Sequence, residues 1–172
     1  MKESTINLPE AEAVEFVEGL RGRVFHVTYA RNMASIRETG FVGVNSDSSL
    51  RTTFGNAENG FYRKQGCVSV FDYEEPSEEK WREHMWKCNP LMPARVETVA
   101  LLFLSELGKK NLIRWSQAKE QWTTERVVPH VEAGHKGNIP LSCISELLTV
   151  HLELDKTSIA YRLSQTGNPD RR

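Results

Sequence analysis

Cysteine is scarce in this chain, long apolar runs are missing, and neither sign of charge is in excess. Its 172 residues include three unevenly spaced cysteines, Cys67, Cys88 and Cys143, an odd number that argues against a disulfide framework and for a reducing compartment. No apolar run is long enough to span a bilayer, and the polar first residues lack the hydrophobic region of a signal peptide. We therefore expect a cytoplasmic protein without a membrane segment.

The balance of charge does not point to a partner. With 22 basic and 23 acidic side chains, the composition by itself indicates neither a nucleic-acid partner nor a membrane surface. A chain of this length fits one domain with a complete core. Because the hydrophobic pattern fades after Lys156, we expect a single globular domain over residues 1–156 and a weakly structured tail over residues 157–172.

Periodicity and breaker residues predict an α+β fold, with more strands than helices in the second half of the chain. The predicted strands are 23–28, 67–72, 96–104, 112–115, 126–131 and 147–154, and the predicted helices are 9–20, 30–39 and 78–88. The most apolar strand, 96–104, is expected in the centre of a sheet. Residues 44–66 read as one long loop, and loops of that length often carry function.

The most informative stretch is the strand over residues 23–28, which carries His-x-Thr and runs into a helix ended by Gly40. Thr28 is predicted to be the N-cap of that helix, because its hydroxyl can accept a hydrogen bond from the first turn. Gly40 supplies the left-handed residue that ends many helices. His26, at the end of a strand and beside a helix start, is well placed to touch a ligand.

This order of residues resembles the start of ADP-ribosyltransferase-like domains, in which a His-x-Thr strand precedes a helix of the form Asn-x-x-x-Ile-x-x-x-Gly. The matching residues are His26, Thr28, Asn32, Ile36 and Gly40. The version with asparagine is most similar to the DarT-type enzymes, which modify DNA bases. The resemblance implies a compact α+β fold with two small splayed β-sheets and flanking helices around a cleft that binds NAD.

The resemblance also implies roles for individual residues, with NAD as the substrate. Breaking the bond between ribose and nicotinamide passes through an oxocarbenium-like transition state, so the protein must hold the ribose and stabilise positive charge. His26 is expected to bind the nicotinamide-side ribose, and Thr28 and Asn32 are expected to help place NAD. Glu132 is expected to be catalytic, because it precedes an Ile-Pro-Leu turn and a final strand as in such domains. Glu125 is the alternative.

The long loop offers further binding candidates. Arg51 or Arg63 can form a bidentate pair with a pyrophosphate, and we assign Arg51 to cofactor placement. Tyr62 is left open between stacking on a ring of the ligand and packing in the core. For Phe54 and Phe61 we favour packing that holds the loop against the core.

Ser69 lies where many members of the family carry Tyr-x-Ser or Phe-x-Ser on a strand, and it is expected to pack against the ribose of NAD. No tyrosine of this chain takes the place of the tyrosine in that pattern. This departure leaves a His-Tyr-Glu triad incomplete. It favours an alternative in which the chain is a non-catalytic nucleotide- or protein-binding module of the same fold. In that alternative, a partner protein would bind through the tryptophans.

Other chemistries are less well supported. His84 and Cys88 are spaced for one helix face, and His130 and His135 are close in sequence, yet no paired Cys-x-x-Cys or His-Glu-x-x-His pattern is present, so we expect no metal site. An RNA 2′-phosphotransferase of the same general fold would need arginines around its histidine. The acceptor of ADP-ribose is left open between a protein and a nucleic acid, and a homo-oligomer is also possible.

Overall fold

The computed structural model describes residues 1–45, 53–54 and 59–157, and these residues form an α+β fold. The strands are β1 (Lys2–Pro9), β2 (Val24–Tyr29), β3 (Phe41–Val42), β4 (Cys67–Asp72), β5 (Val99–Leu104), β6 (Leu112–Ile113), β7 (Glu132–Lys136), β8 (Ile139–Pro140) and β9 (Ile144–Glu153). The helices are α1 (Ala13–Glu18), α2 (Met33–Thr39), α3 (Phe61–Lys64), α4 (Glu78–His84), α5 (Glu106–Lys109) and α6 (Trp115–Ala118). None of these helices is long and apolar enough to cross a bilayer.

Seven of the described strands form one sheet in the order β1-β9-β5-β2-β4-β7-β6, and β3 pairs with β8 in a separate ribbon. The edge strand β1 runs parallel to β9, and the other pairs in the sheet are antiparallel. The sheet is therefore mixed and mostly antiparallel. The three strands β2, β4 and β7, which carry the predicted site residues, are consecutive neighbours within it.

The core lies on both faces of this sheet. All six residues of β5 are buried, and β5 lies between β9 and β2, which confirms the predicted central strand. On one face, Phe25 and Leu101 pack in a cluster with Trp81 of α4. On the other face, Leu102 packs in a cluster with Ile36 of α2. Side chains that alternate along each strand thus enter two hydrophobic clusters, each covered by a short helix.

The two edges of β2 are paired very differently. Along β5, the ladder runs over five residue pairs from Phe25 to Tyr29. Along β4, it includes Val24 opposite Asp72 and Phe25 opposite Phe71, and then stops. Beyond Phe25 the two backbones are no longer joined by a ladder, so β2 and β4 separate at the position of His26. This opening in the sheet positions the candidate site.

The structure differs from the sequence predictions in several elements. The structure adds strand β1, which the sequence did not reveal because its polar residues face solvent at the sheet edge and Leu8 is its one buried residue. The predicted strand 126–131 is not formed, since Pro129 interrupts it and His130 has a φ of 65°, and the strand instead begins at Glu132. The predicted loop 44–66 contains helix α3, whose Phe61 is buried.

Candidate active site

His26 lies in the opening between β2 and β4, where its side chain replaces the missing backbone pairing. Its Nδ1 is 2.9 Å from the backbone oxygen of Ser69. Because a carbonyl oxygen can only accept, this contact assigns the proton to Nδ1 and leaves Nε2 as an acceptor. Burial lowers the pKa of His26 and the hydrogen bond to Ser69 raises it by less, so the imidazole is neutral near pH 7.

Glu132 is the first residue of β7 and lies directly opposite Phe71 of β4. One carboxylate oxygen accepts the backbone N–H of Val128 at 3.0 Å. Burial raises the pKa of Glu132, and the interactions with the Val128 N–H and with the side chain of Ser69 lower it by less. The carboxylate is thus held in place by its neighbours and partly desolvated.

Ser69 connects the two predicted catalytic residues. Its backbone oxygen accepts from His26, its side chain lowers the pKa of Glu132, and that side chain is exposed to solvent. Alternation along the strands places Glu132 on the face of Phe71 and His26 on the opposite face. The imidazole and the carboxylate therefore lie beside Ser69 on different faces of the sheet, at the point where the ladder between β2 and β4 has already ended.

Thr28 and Asn32 lie farther along the same segment and bond to each other. The amide nitrogen of Asn32 donates to the hydroxyl of Thr28 at 2.8 Å, and Thr28 is buried. The prediction that Thr28 caps the following helix is wrong. A 3₁₀ turn, Ala30–Asn32, comes between β2 and α2, and it begins after Tyr29 without a side-chain cap. The Thr28 hydroxyl instead accepts from the side chain of Asn32. The pair fixes the turn that leads into α2.

The predicted contribution of Arg51 lies outside the described residues. Within the same predicted loop, Phe61 is buried, as favoured from the sequence, and Tyr62 is fully buried and not exposed for stacking at the surface. The ring of Phe54 is 41% exposed, although its centroid is 5.5 Å from that of Phe71. This loop therefore contributes packing behind the site, and Arg63 of α3 also has an interaction partner.

The alternative acid, Glu125, is occupied elsewhere. Its carboxylate accepts from the hydroxyl and backbone N–H of Thr123 and from the N–H of Thr124. Its own backbone N–H and these hydrogen bonds lower its pKa. Lys64 lies 4.0 Å from the same carboxylate. Glu125 thus closes its own turn, whereas Glu132 lies beside Ser69 in the candidate site.

An ion pair at the end of β4 supports the site, and sequence reasoning missed it. Asp72 is buried, and one guanidinium nitrogen of Arg114 lies 3.1 and 3.0 Å from its two carboxylate oxygens. The backbone N–H groups of Glu74 and Glu75 also donate to Asp72. Burial still raises the pKa of Asp72 against these partners. An acid that ends an apolar strand was a detectable signal, but nothing in the sequence points to Arg114.

The histidines and cysteines considered for a metal have other neighbours in the structure. His84 and His130 have ring centroids 5.2 Å apart, and the ammonium of Lys87 is 2.9 Å from Nδ1 of His84. Burial raises the pKa of Cys88 to about 12, so its thiol is protonated at neutral pH. Among the residues that the structure describes, no group of three His, Cys, Asp or Glu side chains is placed to hold a metal ion.

No protein-family model, curated protein or solved structure matches this chain. The resemblance to ADP-ribosyltransferases therefore rests on the short sequence motif that contains His26, Thr28 and Asn32.

Proposed function

We propose that this protein is an ADP-ribosyltransferase that uses NAD as its substrate. The observation that carries the proposal is the convergence of His26 and Glu132 on Ser69. These three residues come from three separate segments of the chain and lie on three neighbouring strands. The sequence resemblance alone implies a role in NAD binding or catalysis for each of them.

His26 is suited to hold the ribose on the nicotinamide side. With Nδ1 donating to the Ser69 carbonyl, Nε2 can accept a hydrogen bond from a ribose hydroxyl. The lowered pKa favours this acceptor form at neutral pH. The opening between β2 and β4 is where that sugar would have to enter, because both faces of the sheet are otherwise filled by the hydrophobic clusters.

Glu132 is suited to stabilise the positive charge that develops on the ribose as nicotinamide leaves. A carboxylate that is already oriented and partly desolvated interacts more strongly with such a charge than one in water. The hydrogen bond from the Val128 N–H orients it before the substrate binds, and the side chain of Ser69 lies beside it. Because burial raises its pKa, we expect the activity to increase with pH as Glu132 ionises. The same carboxylate can then deprotonate the acceptor, which is a protein side chain or a nucleic-acid base.

The chain departs from the family pattern at the strand position of the family tyrosine. No tyrosine stands there. The nearby ring of Phe71 is stacked on Phe25, with the two ring centroids 5.2 Å apart. We therefore assign the nicotinamide ring no aromatic partner. We also propose that the fold is ADP-ribosyltransferase-like. This proposal is supported by the neighbouring positions of β2, β4 and β7 in the sheet and by the opening beside His26.

The proposal is tested by NAD binding and nicotinamide release in matched variants. A ligand that binds the native state raises its melting temperature, and 100 Kd of ligand adds about 2.7 kcal/mol to its stability. We expect NAD to stabilise the wild type and Glu132→Gln alike, and nicotinamide release to fall roughly 100-fold or more in Glu132→Gln. Glu125→Gln is the matched control and is expected to behave like the wild type.

Two results would count against this function. If neither NAD nor ADP-ribose raises the melting temperature of the wild type, the chain does not bind the proposed substrate. If Glu132→Gln releases nicotinamide at the wild-type rate, Glu132 has no part in the reaction.

A second candidate, a protein-binding module without catalysis, is favoured by an exposed apolar surface. Trp86, Met92 and Val96 are 51%, 60% and 81% exposed. Trp86 and Met92 line a groove of about 240 Å³ together with Leu91 and Leu152. Exposed apolar patches of this kind often mark protein interfaces. The absence of any effect of NAD in the experiment above would favour this candidate.

A further inference from the structure

The turn that precedes β7 holds the Glu132 carboxylate in place. The backbone oxygen of Val128 accepts the N–H of Glu132 at 3.0 Å, and the N–H of Val128 donates to the Glu132 carboxylate, also at 3.0 Å. Val131 closes the same turn, because its N–H lies 3.4 Å from the backbone oxygen of Val128. The position of this carboxylate therefore depends on the backbone conformation of residues 128–132.

His130 occupies a position in this turn that usually belongs to glycine or asparagine. Pro129 is the first of the two central residues, and His130 follows it with a φ of 65°. Proline followed by a residue with positive φ is the pattern of a type II turn. A left-handed backbone costs a residue other than glycine free energy, and it persists where the surrounding structure fixes it. The contacts of the His130 ring are therefore the place to look for what fixes the turn.

The His130 ring contacts two rings from other elements. Its centroid is 5.2 Å from that of His84, the last residue of α4, and the two ring planes are 39° apart. The centroid of Trp115, the first residue of α6, is 6.3 Å away, and that ring is edge-on at 67°. Three segments that are distant in sequence thus meet at this imidazole, and their packing can offset the cost of its left-handed backbone.

The contact between His84 and His130 suits neutral imidazoles. The ammonium of Lys87 is 2.9 Å from Nδ1 of His84, and because an ammonium can only donate, this nitrogen carries no proton. Protonation of His84 would therefore place a second cation beside Lys87. Burial lowers the pKa of His84, and Lys87 lowers it further; burial also lowers the pKa of His130. Both rings are neutral near pH 7 and gain their protons in mild acid.

The other charged side chains that act on the two rings have both signs. Glu83 lies 3.5 Å from Nε2 of His84 and favours its protonation, but the same carboxylate is paired with Lys80 at 3.0 Å. On His130, Glu75 favours protonation and Lys119 opposes it. Two imidazolium rings would thus join three lysines and two glutamates, which leaves an excess of positive charge around the turn.

We propose that His130 is a positioning residue for Glu132 and that its contact with His84 makes this positioning sensitive to protons. While both rings are neutral, they pack together and the turn holds the carboxylate. When both are protonated, their mutual repulsion opens the contact and the turn releases the carboxylate. The contact stands independently of any reaction, whereas its consequence for catalysis rests on the proposed transferase function.

The test is hydrogen exchange of the Glu132 amide, which closes the turn. Its rate is measured by NMR at a series of pH values and expressed as protection relative to an unstructured peptide. A contact that lowers the pKa of its histidines is fully present above about pH 6.5 and is lost as the pH falls through the lowered values. Since a shift of about one pKa unit corresponds to a tenfold change in an equilibrium, we expect protection to fall roughly tenfold or more.

Two variants each remove one ring of the pair. His84→Gln removes the partner ring, and His130→Asn removes the imidazole while keeping a residue type that adopts positive φ readily. The fall in protection with acid should be smaller in both, and the part that remains belongs to the titration of Glu132 itself. His130→Asn, at a half-buried position, keeps the test if His84→Gln does not fold.

The matched control is His151→Gln. His151 is an exposed histidine of β9 whose Nδ1 lies 2.8 Å from the hydroxyl of Thr98, so its loss should leave the pH dependence of the turn as in the wild type. Protection that does not fall in the wild type, or that falls equally in the wild type and in both ring variants, would overturn the proposal.

The outcomes separate this inference from the proposed function. In a working transferase, the acid limb of the pH–rate profile should be less steep in His84→Gln than in the wild type. A turn that opens with acid in a protein that does not respond to NAD would keep the contact and remove the transferase. Nicotinamide release by a protein whose turn is insensitive to acid would remove the role of His130 alone.

Discussion

The two edges of strand β2 differ in role: one contributes to the hydrophobic core, and the other carries the polar groups of the candidate site. On the β5 edge, a ladder of five residue pairs lies between buried residues such as Leu101 and Leu102. On the β4 edge, the ladder ends after Phe25, and the contact is continued by the side chain of His26 on the backbone of Ser69. The first edge is closed and apolar. The second is open to solvent at Ser69 and gathers the groups that can bind a polar ligand.

The contrast between the two edges of β2 requires that the β5 edge contribute more to stability than the β4 edge. Leu102 is fully buried in the cluster that α2 covers, so Leu102→Ala should lower the free energy of unfolding by about 2–5 kcal/mol. Ser69→Ala, on an exposed residue of the β4 side, removes the interaction of its side chain with Glu132 and is expected to cost at most about 0.5–1.5 kcal/mol. Urea denaturation measures both. Equal losses in the two variants would contradict the division between the edges.

A second substitution tests the packing of Tyr62 against β7, next to the candidate site. Gly134→Ala places a Cβ against the ring of Tyr62, and such overpacking should lower stability by roughly 1–3 kcal/mol. Gly19→Ala is the control, because Gly19 has a φ of −65° that alanine adopts readily and is exposed. Thermal unfolding of both variants is the measurement. A Gly134→Ala protein as stable as the wild type would show that the ring does not pack against β7.

The pH dependence of stability should differ in sign for the two residues that meet at Ser69. Glu132 has a raised pKa in the fold, so its stabilising contribution is present below its unfolded pKa and is lost as the pH rises through the folded value. His26 has a lowered pKa, so its contribution is present above about pH 6.5 and is lost as the pH falls through the folded value. Relative to the wild type, Glu132→Gln should therefore gain stability with rising pH, and His26→Gln should gain it with falling pH.

Denaturation of the three proteins at a series of pH values tests these slopes. The difference between each variant and the wild type is the quantity to compare, because burial also lowers the pKa of His84 and His130 in the wild type. Differences that do not change with pH would mean that neither residue is held in the buried environment described.

The smallest effect is expected where β2 leads into α2. Asn32→Ala removes the hydrogen bond from Asn32 to Thr28 and should cost about 0.5–1.5 kcal/mol. Thr28→Val removes the acceptor and is the complementary variant. If the bond is the only role of Asn32, the two losses should be similar and NAD binding unchanged. A specific loss of NAD-dependent stabilisation in Asn32→Ala would place Asn32 in contact with the substrate.

The parts of the fold that were predictable from sequence carry strong local signals. The apolar run of β5 and the helix ended by Gly40, whose φ is 80°, were both recognised from their residues. Strand β7 was missed because its residues, Glu-Ala-Gly-His-Lys, have no apolar run, and Gly134 is buried only because Tyr62 covers it. Local propensity cannot report a partner that lies far away along the chain.

The same distinction holds for the site. His26, Ser69 and Glu132 could be proposed from short motifs, since each motif is local. Their proximity depends on the order of β2, β4 and β7 in the sheet and on a ladder that stops after Phe25. Neither feature can be predicted from a single segment of the sequence. The ion pair of Asp72 with Arg114 is likewise set by tertiary packing, which brings the segment after β6 to the end of β4.

The most direct test of the account is an NMR titration of the nitrogen-15-labelled protein with NAD, in which each backbone amide reports its own surroundings. We predict that the largest shifts occur at His26, Ser69 and Glu132 and at their neighbours on β2, β4 and β7. Saturating NAD that leaves these amides unshifted, while the rest of the spectrum shows a folded protein, would contradict the proposal that the opening beside Ser69 binds the substrate.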